Sequence, residues 1–178
     1  MAAYSQAAIQ GFLKAADQAT TRAAKGKAFE DLICYLFEKV AGIAITQRNV
    51  LNRMESEEID VALWNDGHPR GLKSLTNMLL VECKNWSATV GSAEVITFIS
   101  KLERRGVEYG FLFAANGITG NAQDGKAAHY SVSNALAKKI RIVVITRAEV
   151  EKLQSSEDLV LLIKQKLCHL VASETAWP

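Results

Sequence analysis

The chain has 178 residues, enough for one domain with a sizeable core. Apolar residues make up 49% and charged residues 22%, which fits an ordinary soluble globular protein, and no run of about 18 apolar residues is present that could cross a membrane. A net charge of only +2 excludes a global cationic field, so any affinity for nucleic acid has to come from local patches.

The first stretch, MAAYSQAAIQGFLKAADQ, lacks the basic start, continuous apolar block and cleavage site of a signal peptide. The three cysteines, Cys34, Cys83 and Cys168, form no CxxC pair, so neither a disulfide framework nor a zinc site is expected, and a reducing cytoplasm is the simplest home. Residues 4–24 carry Ile9, Phe12, Leu13 and Ala16 at helical spacing. They predict a helix that serves either as an appendage to the fold or as a dimerisation element. Gly26 then reads as a break before a second helix over 27–41. There Phe29, Leu32, Ile33, Leu36, Phe37 and Val40 form a core-facing stripe. Glu30 falls beside Phe37 on the border of that stripe.

After Gly42, residues 43–48 predict a first strand, 49–57 a turn or hairpin loop, and 58–64 a second strand. Alternation places Ile59, Val61 and Leu63 on one face of that strand and Asp60 with Ala62 on the other. The turn residues Asn65 to Gly71 follow. The run Met78 to Trp86 is then the third strand of an antiparallel meander. A helix over 92–105, with Ser92 as its cap and Gly106 as its stop, leads to an almost wholly apolar strand over 109–115. A polar loop from Asn116 to Asn121, a helix over 123–138, a strand over 140–146, a short helix from Ala148 and a last helix over 157–171 complete the chain. Strands alternating with helices after the meander imply parallel crossovers. The expected fold is therefore α/β: a mixed central sheet of about five strands flanked by helices on both faces, with extra N-terminal and C-terminal helices.

The third strand holds the unusual chemistry. Glu82 and Lys84 project on the same face of a strand that otherwise reads as core, and taken alone they are explained by an internal ion pair. If the second and third strands pair, Asp60 comes to that same face, and the helix over 27–41 packing above it would add Glu30. Neighbouring carboxylates repel, which raises a pKa or calls for a cation. Mg²⁺, a hard ion that uses one or two carboxylates with water and phosphate oxygens, meets that need.

Glu30 in a helix opened by Gly26-Lys27-Ala28-Phe29, Asp60 in Glu58-Ile59-Asp60-Val61, and Val81-Glu82-Cys83-Lys84-Asn85-Trp86 on the next strand together resemble the PD-(D/E)xK restriction-endonuclease-like nuclease superfamily. The likeness is greatest to its Mrr-type and Holliday-junction-resolvase-like branches. It covers roughly residues 26–153, and so divides a single domain, 1–178, into an N-terminal helical extension (1–25), a nuclease core (26–153) and a C-terminal helix (154–178). The proline that gives the superfamily its name is replaced here by Ile59. The resemblance implies a restriction-endonuclease-like core and a metal-dependent DNA endonuclease of the Mrr-like restriction or defence type. A structure-selective resolvase, or a non-catalytic nucleic-acid-binding module of the same fold, are the alternatives. It further implies that Asp60, Glu82 and the Cys83 backbone carbonyl bind Mg²⁺, with Mn²⁺ as a substitute. Lys84 acts on the attacking water or the phosphate charge, and Glu30 holds a metal-bound water or a second ion. DNA as substrate, a homodimer and a separate recognition or activating protein are the implied partners, and no membrane is involved. In related nucleases the helix after this strand often supplies a polar residue near the site. Thr97 and Ser100 lie on it here, and neither matches a motif.

Other features have plainer readings. Lys101, Arg104 and Arg105 close one helix and Lys138, Lys139 and Arg141 follow another, where cations complement the helix dipole. The loop from Asn116 matches no phosphate-binding motif. Trp86 reads as a core aromatic, and His68, His129 and His169 have no ligand spacing.

Overall fold

A computed structural model describes residues 2–51, 57–120 and 128–176. The elements run α1 (Gln6–Gln18), α2 (Arg22–Phe37), β1 (Ile43–Leu51), β2 (Glu58–Asn65), β3 (Met78–Lys84), α3 (Ser92–Arg105), β4 (Tyr109–Ala114), α4 (Ala128–Ala137), β5 (Arg141–Ile145), α5 (Arg147–Val150) and α6 (Ser156–Ser173). The middle of the expected hairpin loop (52–56) and residues 123–127 of the expected fourth long helix lie outside the described residues.

The five strands form one sheet in the order β1-β2-β3-β4-β5. β1, β2 and β3 are antiparallel neighbours, whereas β4 and β5 join β3 in parallel. The mixed α/β architecture expected from the sequence is thus the one observed. β3 is the strand at which the pairing changes sense. Such a strand is covered on both faces, which is why Leu79, Leu80, Val81 and Glu82 are all buried instead of alternating with exposed residues.

On one face Val61, Leu63, Leu79, Val81, Phe111, Phe113, Val143 and Ile145 pack against α1, α2 and α6. Phe37 of α2 sits over β4, with ring centroids 5.5 Å from Phe111 and 5.9 Å, edge-on, from Phe113. Each fully buried aromatic of this kind contributes about 1.5–3 kcal/mol. The opposite face buries Ala62, Leu80, Leu112, Ala114, Ile142 and Val144 beneath α3 and α4. α3 approaches β4 so closely that a Cβ at Gly110 would lie 2.6 Å from Leu102 Cδ1 and 2.9 Å from the Phe98 ring.

Several local expectations change. Gly26 does not break a helix. α2 starts earlier, at Arg22, because the Thr21 hydroxyl accepts the Ala24 N–H (3.1 Å) and caps it, and Gly26 lies inside the helix. A glycine there costs about 1 kcal/mol, which the buried stripe from Phe29 to Phe37 outweighs. α1 buries Ile9, Leu13 and Ala16, the first two in the core it shares with α2. Gly91, not Ser92, caps α3, while Gly106 ends it in the left-handed conformation (φ 63°) as expected. Thr146 belongs to a capping box with Glu149 instead of continuing β5. Ile59 is buried with the α3 face and not with Val61 and Leu63. The β2–β3 pairing stops at Val61, so the start of β2 is paired with β1 alone.

Candidate active site

The site is built at the place where β2 and β3 part. Their last pair is Val61 with Val81, yet β3 continues beside β4 as far as Lys84 and Ala114. Past that pair the Cys83 N–H donates instead to Asp60 Oδ2, at 2.6 Å. This side-chain bond takes the place of a ladder bond and holds the Asp60 carboxylate beside β3.

Glu82 points to the α3 face and is only 4% exposed. Its Oε1 lies 2.7 Å from Lys84 Nζ and its Oε2 lies 2.7 Å from Lys101 Nζ. The internal ion pair expected for Glu82 and Lys84 is therefore present, but it is one half of the arrangement. The other half is Lys101, 7% exposed, sent down from α3. Burying a carboxylate costs several kcal/mol unless it is paired and hydrogen-bonded, and two ammonium groups meet that condition for Glu82.

Asp60 is less fully compensated. Burial and the charge of Glu82 push its carboxyl up from 3.8 to about 6, against the opposing pull of the Cys83 amide, Lys84 and Lys101. Burial alone would lower the Lys84 ammonium, but Glu82 and Asp60 outweigh it and its pKa lies above the ordinary value. Lys84 Nζ also sits 5.5 Å from the centroid of the Trp86 ring. The Cys83 thiol is pushed well up by burial and packs on the α2 side of the sheet, so its side chain is not a ligand.

Glu30 is placed differently from the expectation. α2 does not cover the face that carries Glu82; it packs on the opposite one, against Val61, Leu63, Leu79 and Val81. Glu30 is buried, and its Oε1 accepts bonds from Arg48 Nε (2.8 Å), Arg48 Nη2 (2.5 Å) and Asn49 Nδ2 (3.2 Å). Arg48 also reaches Asp31 Oδ1 at 2.5 Å. The structure thus joins Asp60, Glu82 and Lys84 in one cluster and holds Glu30 in a second. Among the described residues no group of three or more His, Cys, Asp or Glu side chains is placed to hold a metal ion.

Lys101 is the site residue that sequence reasoning missed. Its position beside Phe98 and Leu102 on the apolar stripe was the available signal, yet near a helix end it reads the same as a solvent-facing cation. Four other cations near helix ends are also paired inside the chain: Arg104 and Arg105 with Glu57, Lys138 with Glu103 at 2.8 Å, and Arg141 with Glu108 at 3.8 Å. The loop after β4 is structural. Val90 N–H donates to Gly117 O (2.9 Å), Thr119 N–H to Val90 O (2.8 Å), and Asn116 Nδ2 to Trp86 O (2.5 Å).

A family model described as restriction endonuclease, of the Mrr catalytic type, matches residues 21–154, well over half of the chain. The chain belongs to this family. The matched span runs from the N-cap of α2 past the end of α5 and so contains the whole sheet and both charged clusters of this Mrr-type domain. Neither the curated proteins nor the solved structures gave a match. No described helix is long and apolar enough to cross a membrane.

Proposed function

We propose that this Mrr-type domain is a metal-dependent DNA endonuclease of the restriction or defence type, and that Asp60, Glu82, Lys84 and Lys101 carry its chemistry. The observation behind this reading is the Asp60–Glu82 pair: a half-buried carboxylate beside a buried one at a fork in the sheet, the first pushed up to about 6 by burial and by the second. Such a pair is electrostatically costly without a cation, and its donors are hard oxygens suited to Mg²⁺ or Mn²⁺.

In this reading Asp60 and Glu82, with the Cys83 carbonyl, hold the ion. A bound divalent ion supplies polarisation of the scissile phosphate and a lowered pKa for attached water. The chain's own groups do the rest. Lys84, which lies 2.7 Å from Glu82 Oε1, would orient the attacking water or meet the charge that builds on the phosphate. Lys101 stays on the second oxygen of Glu82 and fixes its rotamer from α3. The Cys83 N–H keeps Asp60 aimed at the fork. Glu30, engaged by Arg48 and Asn49, is left out of the reaction. Action as a homodimer, with each copy cutting one strand, and dependence on a recognition partner belong to the same proposal.

Cleavage of supercoiled plasmid with Mg²⁺ tests it, with wild type beside Glu82→Ala and Lys84→Ala. The expected result is nicking or linearisation by wild type and a loss of about 10²–10³-fold in each variant. Equal activity in all three proteins removes the site. A four-way junction run beside linear duplex separates a general endonuclease from a structure-selective resolvase.

A further inference from the structure

The chain leaves β3 through Asn85 and Trp86 into a groove that the proposed reaction does not use. A cavity of about 390 Å³ lies there, between the start of α2 (Thr20, Arg22, Lys25) and the segment after β3 (Asn85, Trp86, Ser87). A second cavity of about 210 Å³ shares Lys25, Asn85, Trp86 and Ser87 and extends the groove towards Asn116 and Arg147. Its walls are fastened: Asn85 Nδ2 donates to Lys25 O (3.2 Å) and Asn116 Nδ2 to Trp86 O (2.5 Å).

Three features point to the occupant. Trp86 is half-buried: it packs against the α3-side core and also lines the groove. Arg147, at the far end, is already neutralised by Asp17 at 2.6 and 2.8 Å and by Glu151 at 3.0 Å. Arg22 and Lys25 are exposed, and among the described residues neither has a carboxylate within ion-pair distance, so the groove's unspent charge is positive. The groove also opens beside the proposed chemistry, since Lys84 Nζ is 5.5 Å from the Trp86 ring centroid.

An aromatic wall with two unspent cations is the chemistry of a nucleotide: a flat base stacks on the ring and the phosphate meets the cations. A volume near the lower end of the usual ~300–1,000 Å³ for small-ligand pockets admits one nucleotide and not a base pair. We infer that this groove takes one unpaired nucleotide of the substrate strand, with its base on Trp86 and its phosphate between Arg22 and Lys25. The inference rests on the reading of Lys84 as the residue that faces the scissile phosphate. It narrows the substrate class to nucleic acid with an unpaired nucleotide beside the cut. Because stacking accepts every base, the groove selects for unpaired structure and not for sequence.

Fluorescence anisotropy without metal tests this, so that no cleavage occurs. The probes are a short labelled DNA single strand, a fully paired duplex and the same duplex with one bulged nucleotide. Wild type should prefer the single strand and the bulged duplex to the paired one. Trp86→Ala should weaken binding to both by roughly tenfold, and Trp86→Phe should retain it within about threefold. The surface pair Arg22→Ala/Lys25→Ala should flatten the single-strand plot of log K against log salt by about 0.7, the value for one phosphate contact. No preference in wild type overturns the inference; so does a preference that survives Trp86→Ala, or an unchanged salt slope in the double variant. Should Trp86→Ala fail to fold, the double variant, altered only at exposed positions, decides. A groove preference with no plasmid cleavage would sink the nuclease reading alone, and cleavage without the preference would sink the groove alone.

Discussion

Two clusters with the same formal charges flank the sheet and behave in opposite ways. On the α3 side Asp60 and Glu82 face Lys84 and Lys101; on the α2 side Glu30 and Asp31 face Arg48 and Lys27. Two acids meet two bases in each, yet the Asp31 carboxyl is held below its ordinary value while that of Asp60 is pushed above it. Burial raises both. At Asp31 the hydrogen bonds from Arg48 and Lys27 overcome it, and the carboxylate, 31% exposed, keeps contact with water. At Asp60 the burial is deeper, and Glu82 adds repulsion that one amide and two lysines do not cancel. A planar guanidinium fork also holds two carboxylates in fixed geometry, whereas an ammonium is a point charge on a flexible stem. The count of charges therefore does not separate the two clusters; the completeness of their compensation does.

Removing one base from each cluster gives the largest stability contrast. Lys101→Ala leaves Glu82 buried with one partner and should cost about 3 kcal/mol, a fall in Tm of roughly 6–12 °C for a chain of this size. Thermal unfolding measures it, and a loss below about 1 kcal/mol would mean that Lys84 alone is enough for Glu82. Asp60→Asn should act the other way. The folded state holds Asp60 at about 6 against 3.8 unfolded, so between those values it binds the extra proton, and stability falls as pH rises through that window. At pH 7 the penalty is complete, and the variant, which keeps an acceptor for the Cys83 N–H, should be more stable than wild type by up to about 3 kcal/mol. Urea unfolding at pH 7 and pH 4 should show that gap closing at the lower pH; a gap independent of pH would refute the charge argument. Arg48→Ala should have the smallest effect, about 1–2 kcal/mol, because its side chain is 33% exposed and water replaces part of what it supplied. A loss equal to that of Lys101→Ala would erase the distinction between the clusters.

The sheet was legible because alternation in 58–64, the apolar run at 78–83 and short connections leave few ways to pair strands. The shared face of Glu82 and Lys84 followed from the same geometry. The position of Glu30 did not. Periodicity says which side of a helix is buried, as Phe29 and Phe37 show, but not which face of the sheet it lies on, and β3 is apolar on both. Lys101 was hidden for a related reason. Its partner is 19 residues away across a helix–sheet interface, and nothing local in Ser100-Lys101-Leu102 distinguishes it from a surface lysine. Gly26 was misread because a single glycine is a weak breaker when a capped helix is held by core contacts on the same strip of residues.

The fork between β2 and β3 has a mechanical consequence. β2 is riveted to β3 by four residue pairs, from Val61–Val81 to Trp64–Met78. Beyond the last rivet β2 is moored to the site by the Asp60–Cys83 bond and through Glu57, at its base, which grips Arg104 and Arg105 of α3. The gap between the two carboxylates is therefore set by moorings and not by a ladder.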